Sequence, residues 1–384
     1  MGMITLIVGI FITTALLAAP IGLDPTFGTG GMTITDFDTG SGIDCDVATD
    51  VVIQPDGKII LGGEQDNCAD FVYKFSLARY NPDGTLDPNF GTGGLVLIDG
   101  SHDQDWGNAL TLQPDGKILI AGTGDRFGFF EVLRLDPNGV LDPTFGVNGT
   151  VLTSLGTDYQ MGYDIALQLD GKIVVAGAAG PSFDNADFAL VRYNSDGSID
   201  STFGVGGIVT TSFTADSDDA ANTLVIQPDG KIVAAGKSRN LTPPAGVTDF
   251  ALARYNSDGT LDLTFNGTGL VTTSLATTHN EVLNLVLQPD NKLITSGKAS
   301  DANKSHLGVA RYNTDGGLDT SFDGDGKFIS QLDSQTMAGE SILVLPDNKI
   351  MVGGYGGGAH PANMALALFN SDGSPDTSFD GDGF

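Results

Sequence analysis

Basic residues are scarce in this chain: 18 Lys and Arg stand against 48 Asp and Glu, for a formal net charge of −30. A surface of that sign repels phosphate backbones and anionic lipid heads, so nucleic acid is excluded as a partner and a membrane is met only through an uncleaved N-terminal segment. Histidine is equally sparse. The four present, His102, His279, His306 and His360, are dispersed without HxH or HExxH spacing, which argues against zinc and reads as histidines in surface loops. No GxSxG, Walker or dinucleotide fingerprint leads from a strand into a helix, and no long window has helical periodicity. Cysteine is limited to Cys45 and Cys68. So close a pair in a chain read as exported suggests a disulfide, because a hairpin folded about Pro55-Asp56-Gly57 sets the two opposite or one step apart.

What is abundant points to β-structure. There are 54 glycines in 384 residues, about twice the usual share, and β-branched residues are plentiful. The excess Asp falls mostly in Asp-Gly and Leu-Asp-Pro contexts, which is turn chemistry. A Ca²⁺ reading attaches only to "FDGDGK" and "FDGDGF", whose Asp323, Asp325, Asp380 and Asp382 resemble the start of Ca²⁺ loops but lack the full alternation and distal Glu. No other cofactor is expected. Residues 1–20, "MGMITLIVGIFITTALLAAP", form an apolar run ending in small residues, expected to be a signal peptide or an uncleaved membrane anchor, with the protein secreted or at the cell surface.

From residue 21 to 384 the chain is repetitive. "IQPDGKII" at Ile53 returns at Leu112, Leu167, Ile226, Leu287 and Val344, 55 to 61 residues apart, longer than the roughly 40 to 50 of familiar propeller repeats. A second phrase, "RYNPDGTLDPNFGTGG" at Arg79, returns at Arg134, Arg192 and Arg254. The repeats run about 22–81, 82–136, 137–194, 195–256, 257–313 and 314–370, followed by the start of a seventh connector. Each reads as four strands; in the first these begin at Gly31, Ala48, Lys58 and Phe75, with Pro55-Asp56-Gly57 closing a hairpin. Four short antiparallel strands bury little alone. The expected fold is therefore all-β, a β-propeller of six four-stranded antiparallel blades; an incomplete seven-bladed propeller is the alternative and a parallel β-helix the structural rival.

Alternating strand direction puts the "QPDGK" hairpins and the "DGxLDxxFG" connectors on one face. Read this way, the repeated connector is the joint between blades, with Leu86 and Phe90 as apolar pegs. The loops that differ between copies occupy the opposite face, where binding is usually placed. Its aromatics, Trp106, Phe127, Phe129, Tyr159 and Tyr355, are the candidate binding residues for a glycan or protein ligand.

The pairing of a "QPDGKI" hairpin with an "RYNxDGxLDxxFGxxG" connector resembles the delta-60 repeat family of bacterial, largely exported proteins. The resemblance implies a β-propeller-like domain in an extracellular setting and brings no catalytic residues. Asn291 and Asn348 depart from it by replacing the hairpin Gly, and Leu368-Phe369 by replacing Arg-Tyr. Together these readings predict a monomeric, non-catalytic exported scaffold that is not an enzyme and binds through the variable face. The alternatives are a purely structural segment of a larger surface protein and a propeller hydrolase, for which a single sequence selects no pair of acids.

Overall fold

In the computed structural model of the protein, residues 23–384 are described apart from 38–45, 67–71, 100–104, 126, 242–245, 303, 331–335 and 358–362, and they form strands and turns only. The architecture is all-β and propeller-like, built of antiparallel sheets of about four strands. Two compact units divide it, 23–175 with 193–199, and 176–192 with 200–384.

In the first unit, β1 (Val47–Ile53), β2 (Ile59–Asp66), β3 (Tyr73–Tyr80) and β4 (Leu95–Ile98) pair in that order. The next sheet repeats the pattern with β5 (Trp106–Leu112), β6 (Ile118–Gly124), β7 (Phe129–Leu135) and β8 (Thr150–Thr153). A third, of β9 (Tyr159–Leu167), β10 (Ile173–Ser182), β11 (Asn185–Tyr193) and β12 (Ile208–Thr211), contains the division between the units. The second unit continues with β13 (Ser217–Ile226), β14 (Ile232–Asn240), β15 (Thr248–Tyr255) and β16 (Leu270–Thr273). These join β17 (His279–Leu287), β18 (Leu293–Ser300), β19 (Ser305–Tyr312) and β20 (Lys327–Ile329) in one eight-stranded sheet through a single parallel pairing of Thr248 with His279. The last sheet has three strands, β21 (Thr336–Val344), β22 (Ile350–Gly357) and β23 (Asn363–Phe369).

The Pro-Asp-Gly turns close as the sequence predicts. Gly57 sits at φ +84°, its N–H donates to Gln54 at 2.9 Å, and Asn291 and Asn348 hold the equivalent left-handed position at φ +64°. Between sheets lies apolar core, exemplified in the first unit by Ile60, Phe75, Phe90, Leu110, Ile120 and Leu133. Full burial of each such side chain contributes roughly 1.5–3 kcal/mol.

The repeated connector works differently from the joint expected of it. The strand after each connector is the outer strand of the same sheet, so β4 returns against β3, and consecutive sheets are linked instead by shorter runs such as 154–158 and 274–278. A buried clip explains the return. In the fourth repeat, Arg254 Nε donates to Asp262 Oδ2 at 2.8 Å, its guanidinium lies 4.5 Å from the centre of the fully buried Phe265 ring, and a further N–H donates to the Thr314 carbonyl of the next repeat. Arg79, Arg134, Arg192 and Arg311 repeat the arrangement, reaching the carbonyls of Pro137, Ser195, Ser257 and Ser371. The connector thus folds its own sheet and grips the following turn.

Tyrosine hydroxyls add a second tie, from Tyr193 to Thr153, Tyr255 to Thr211 and Tyr312 to Thr273. Tyr80 donates in the same way to Thr35 at 2.6 Å, so the segment after Gly31 stands where an outer strand would, although only isolated bridges form there.

The expected disulfide is corrected. No disulfide is present among the described residues, and Cys45 and Cys68 lie outside them. In β1 a bulge at Thr49 slips the register by one, from Asp50↔Gly62 to Ala48↔Gly63, so the unbroken hairpin register on which the bridge was expected does not hold. Residues 1–20, expected to be a signal peptide or membrane anchor, also lie outside the described residues. Among the described residues no helix is long and apolar enough to cross a membrane.

Candidate functional site

Three of the five candidate aromatics come together. Trp106 opens β5, Phe127 stands in the β6–β7 loop and Tyr159 opens β9; their ring centroids lie 5.0 Å (Trp106 to Phe127) and 5.4 Å (Phe127 to Tyr159) apart. Tyr73, at the start of β3 and unnoticed in the sequence, extends the row to four at 5.4 Å from Trp106. All four belong to the first unit and stand at the end of the strands opposite the "QPDGK" hairpins. Tyr159 is buried and its hydroxyl meets that of Tyr163 at 2.9 Å, whereas Tyr73, Trp106 and Phe127 are half-exposed. Phe129 opens β7, and Tyr355 lies in β22 in the other unit.

The row is held at a conformational cost. Phe127 adopts φ +80°, a region that bulky L-residues avoid at roughly 1–3 kcal/mol. Two anchors enforce it: buried Asp105 accepts a hydrogen bond from the Asp125 N–H, and the Phe127 carbonyl accepts one from the Gln160 N–H at 2.9 Å.

A second constellation, which the sequence did not single out, lies on the inner strands of the second unit. The extra residue of a β13 bulge, Asn222, donates to Glu281 Oε1 at 3.0 Å and to the Val282 carbonyl at 2.8 Å. Glu281 Oε2 lies 3.1 Å from His279 Nε2, whose Nδ1 lies 3.2 Å from the Thr248 hydroxyl. Lys298 pairs opposite Glu281 across β17 and β18. Burial opposes the Glu281 charge, but the hydrogen bond from His279, the Lys237 charge and the Asn222 amide outweigh it and hold the carboxyl below its usual range. Glu340, the extra residue of the β21 bulge, behaves oppositely. The surrounding protein and the Glu281 charge push its carboxyl up, against the pull of Lys298, although its side chain reaches solvent. Tyr355 is pushed up by burial and by both glutamates.

Other sequence-predicted residues have structural employment. Asp325 Oδ1 and Asp382 Oδ1 accept from the N–H groups of Lys327 and Phe384, Asp323 and Asp380 hold left-handed turn positions, and among the described residues no group of three or more potential ligands could hold a metal. His279 and His306 are on strands rather than loops; His102 and His360 lie outside the described residues.

A family model described as a domain of unknown function (DUF5122) beta-propeller matches residues 54–90, 113–145, 168–203, 227–265, 288–322 and 345–379. The chain belongs to this DUF5122 family. No curated protein matches it in sequence. Among solved structures, a protein from Lactobacillus plantarum is 16% identical, with a TM-score of 0.52 over 86% of this chain and 83% of that one. An ulvan lyase of a new polysaccharide lyase family is 10% identical (TM-score 0.48; 84% and 78% covered). An α-L-arabinofuranosidase of Fusarium graminearum is 11% identical (TM-score 0.47; 84% and 92%). At these identities the likeness is one of fold. It still corrects the expectation of a non-catalytic scaffold that is not an enzyme: the structures that this DUF5122 chain resembles are mostly carbohydrate-active enzymes, so the architecture gives no ground for excluding catalysis.

Proposed function

We propose that the protein acts on carbohydrate, with Tyr73, Trp106 and Phe127 as the platform on which sugar rings stack and buried Tyr159 backing the row, carried by delta-60 type repeats that close into six blades. The observation that carries this reading is the aromatic row itself. Four rings from three successive sheets converge on the face whose loops vary between repeats, and a strained Phe127 completes them. Large, rigid, amphipathic rings give contact area at little entropic cost and accept the apolar face of a sugar while leaving its hydroxyls to water.

The test is affinity electrophoresis and calorimetry of the full chain with soluble arabinan, ulvan and a β-glucan. Trp106→Ala is expected to weaken binding at least tenfold, about 1.4 kcal/mol, with an unchanged circular dichroism spectrum. Absence of binding to all three polysaccharides, or binding that ignores the loss of Trp106, refutes the reading.

A further inference from the structure

Ring faces already hold cations in this chain. Five buried arginines lie over Phe90, Phe145, Phe203, Phe265 and Phe322 at 4.5–4.8 Å from the ring centres, each within a connector. Among the described residues no Lys or Arg lies over Trp106 or Phe127, the half-exposed rings at the centre of the aromatic row. The row is also bent. Neighbouring planes are tilted by 59° (Tyr73 to Trp106), 39° (Trp106 to Phe127) and 38° (Phe127 to Tyr159). A flat sugar face meets one such ring at a time, whereas a compact, rounded cation touches the faces of two neighbours at once.

Acids gather beside the same rings. Asp125 Oδ2 lies 3.7 Å from where a Cβ on Gly128 would stand, so its carboxylate folds over the loop that carries Phe127. Asp105 precedes Trp106 in the chain. Its Oδ1 and the Oε2 of Glu131 flank Gly124 at the base of that loop, 3.4 and 2.7 Å from the Cβ position there. Both residues are fully buried, so their influence reaches the rings through protein rather than water. The stretches of sequence that carry the row, 64–74, 99–106, 124–131 and 154–159, hold nine Asp and Glu against Lys74 and Arg126, and Lys74 is engaged by Asp99 at 2.6 Å. Arg126 and His102 lie outside the described residues.

We infer that the row is an ammonium site, taking a sugar that bears a free, protonated amine, as in a glucosamine polymer. The sugar lies on one ring, its ammonium rests against the faces of Trp106 and Phe127, and the Asp125 carboxylate supplies the counter-charge. The inference takes the sugar from the carbohydrate reading above and the charge from the rings and acids. The same acids repel a polymer that carries glucuronate and sulfate, so ulvan is bound least.

Trp106 is the single tryptophan of the chain, so its emission reports on this site. The experiment titrates the full chain with three β-1,4 oligosaccharides of equal length that differ only at carbon 2: oligomers of glucosamine, of N-acetylglucosamine and of glucose. Fluorescence and calorimetry follow binding. While its amines are protonated, the glucosamine oligomer should bind about three- to thirtyfold more tightly than the other two; the margin should shrink with salt and vanish once the amines are neutral. Trp106→Ala should remove the margin, read by calorimetry. Asp125→Asn should reduce it about two- to fivefold, and Asn tolerates the φ of +52° at that position. A margin that survives Trp106→Ala is attraction by the net charge of −30 alone and overturns the inference. So does equal affinity for all three oligomers, which leaves the carbohydrate reading standing. If none binds, that reading fails, and choline against its uncharged isostere 3,3-dimethylbutanol decides the site. A shift of Trp106 emission by choline alone, weakened by Asp125→Asn, upholds the ammonium site; no shift, or an equal one, overturns it.

Discussion

Asp262→Ala tests the clip that makes each connector fold. Arg254 is 5% exposed and Asp262 4%, so the substitution strands a buried guanidinium that keeps only the Thr314 carbonyl, the Thr264 hydroxyl and the Phe265 ring. Removing one partner of a buried pair costs about 3–5 kcal/mol. For a unit of this size that lowers the melting temperature by roughly 6–20 °C. Arg254→Leu is the informative control, because the sixth repeat carries Leu368 at that position and leaves Asp376 to Lys349 at 2.7 Å. In Arg254→Leu, Asp262 retains Lys231 and the Thr264 N–H and hydroxyl, so the cost should be smaller, about 1–3 kcal/mol. Calorimetry and urea titration followed by circular dichroism measure both. An Asp262→Ala cost below about 1 kcal/mol, or an Arg254→Leu cost exceeding it, refutes the argument that the buried charge, rather than the packing, fixes the connector.

Asp50 accepts from the Leu110 N–H at 2.7 Å, and burial, opposed by hydrogen bonds from the Leu110 and Val51 N–H groups, raises its carboxyl from 3.8 to about 6. A raised carboxylate costs stability as it ionises. The loss develops between about pH 4 and 6 and reaches roughly 3 kcal/mol above, so Asp50→Asn should stabilise the protein at pH 8 and give no gain at pH 4, read from urea midpoints. Asn291→Ala should cost about 1–2 kcal/mol at φ +64° and Asn291→Gly little or nothing, read from melting temperatures. Phe127→Gly should preserve or raise stability by relieving the φ +80° strain while abolishing polysaccharide affinity; a marked loss of stability would contradict the strain.

By itself the sequence determined the repeat, its turns and its strands other than the one expected from Gly31, where only isolated bridges form. Alternating apolar residues and Pro-Asp-Gly carry local instructions, and even the substituted Asn291 and Asn348 obey them because Asn tolerates the left-handed backbone. It also pointed to the variable face and named Trp106, Phe127 and Tyr159 on it. Only the tertiary structure decided which sheet each strand joins, because that choice rests on a buried Arg254–Asp262 pair whose partners in the next repeat, such as Thr314, are about sixty residues away. Bulges were likewise invisible, since one extra residue in β1 or β21 leaves no mark on composition, yet it slips the register, near Val47 in the one and at Glu340 in the other. Glu281 and Glu340 stand 59 residues apart in the chain with nothing local to link them. His279, Lys237 and Asn222 hold the Glu281 carboxyl low while the surroundings and the Glu281 charge push that of Glu340 up, and those neighbours exist only once the sheets have packed.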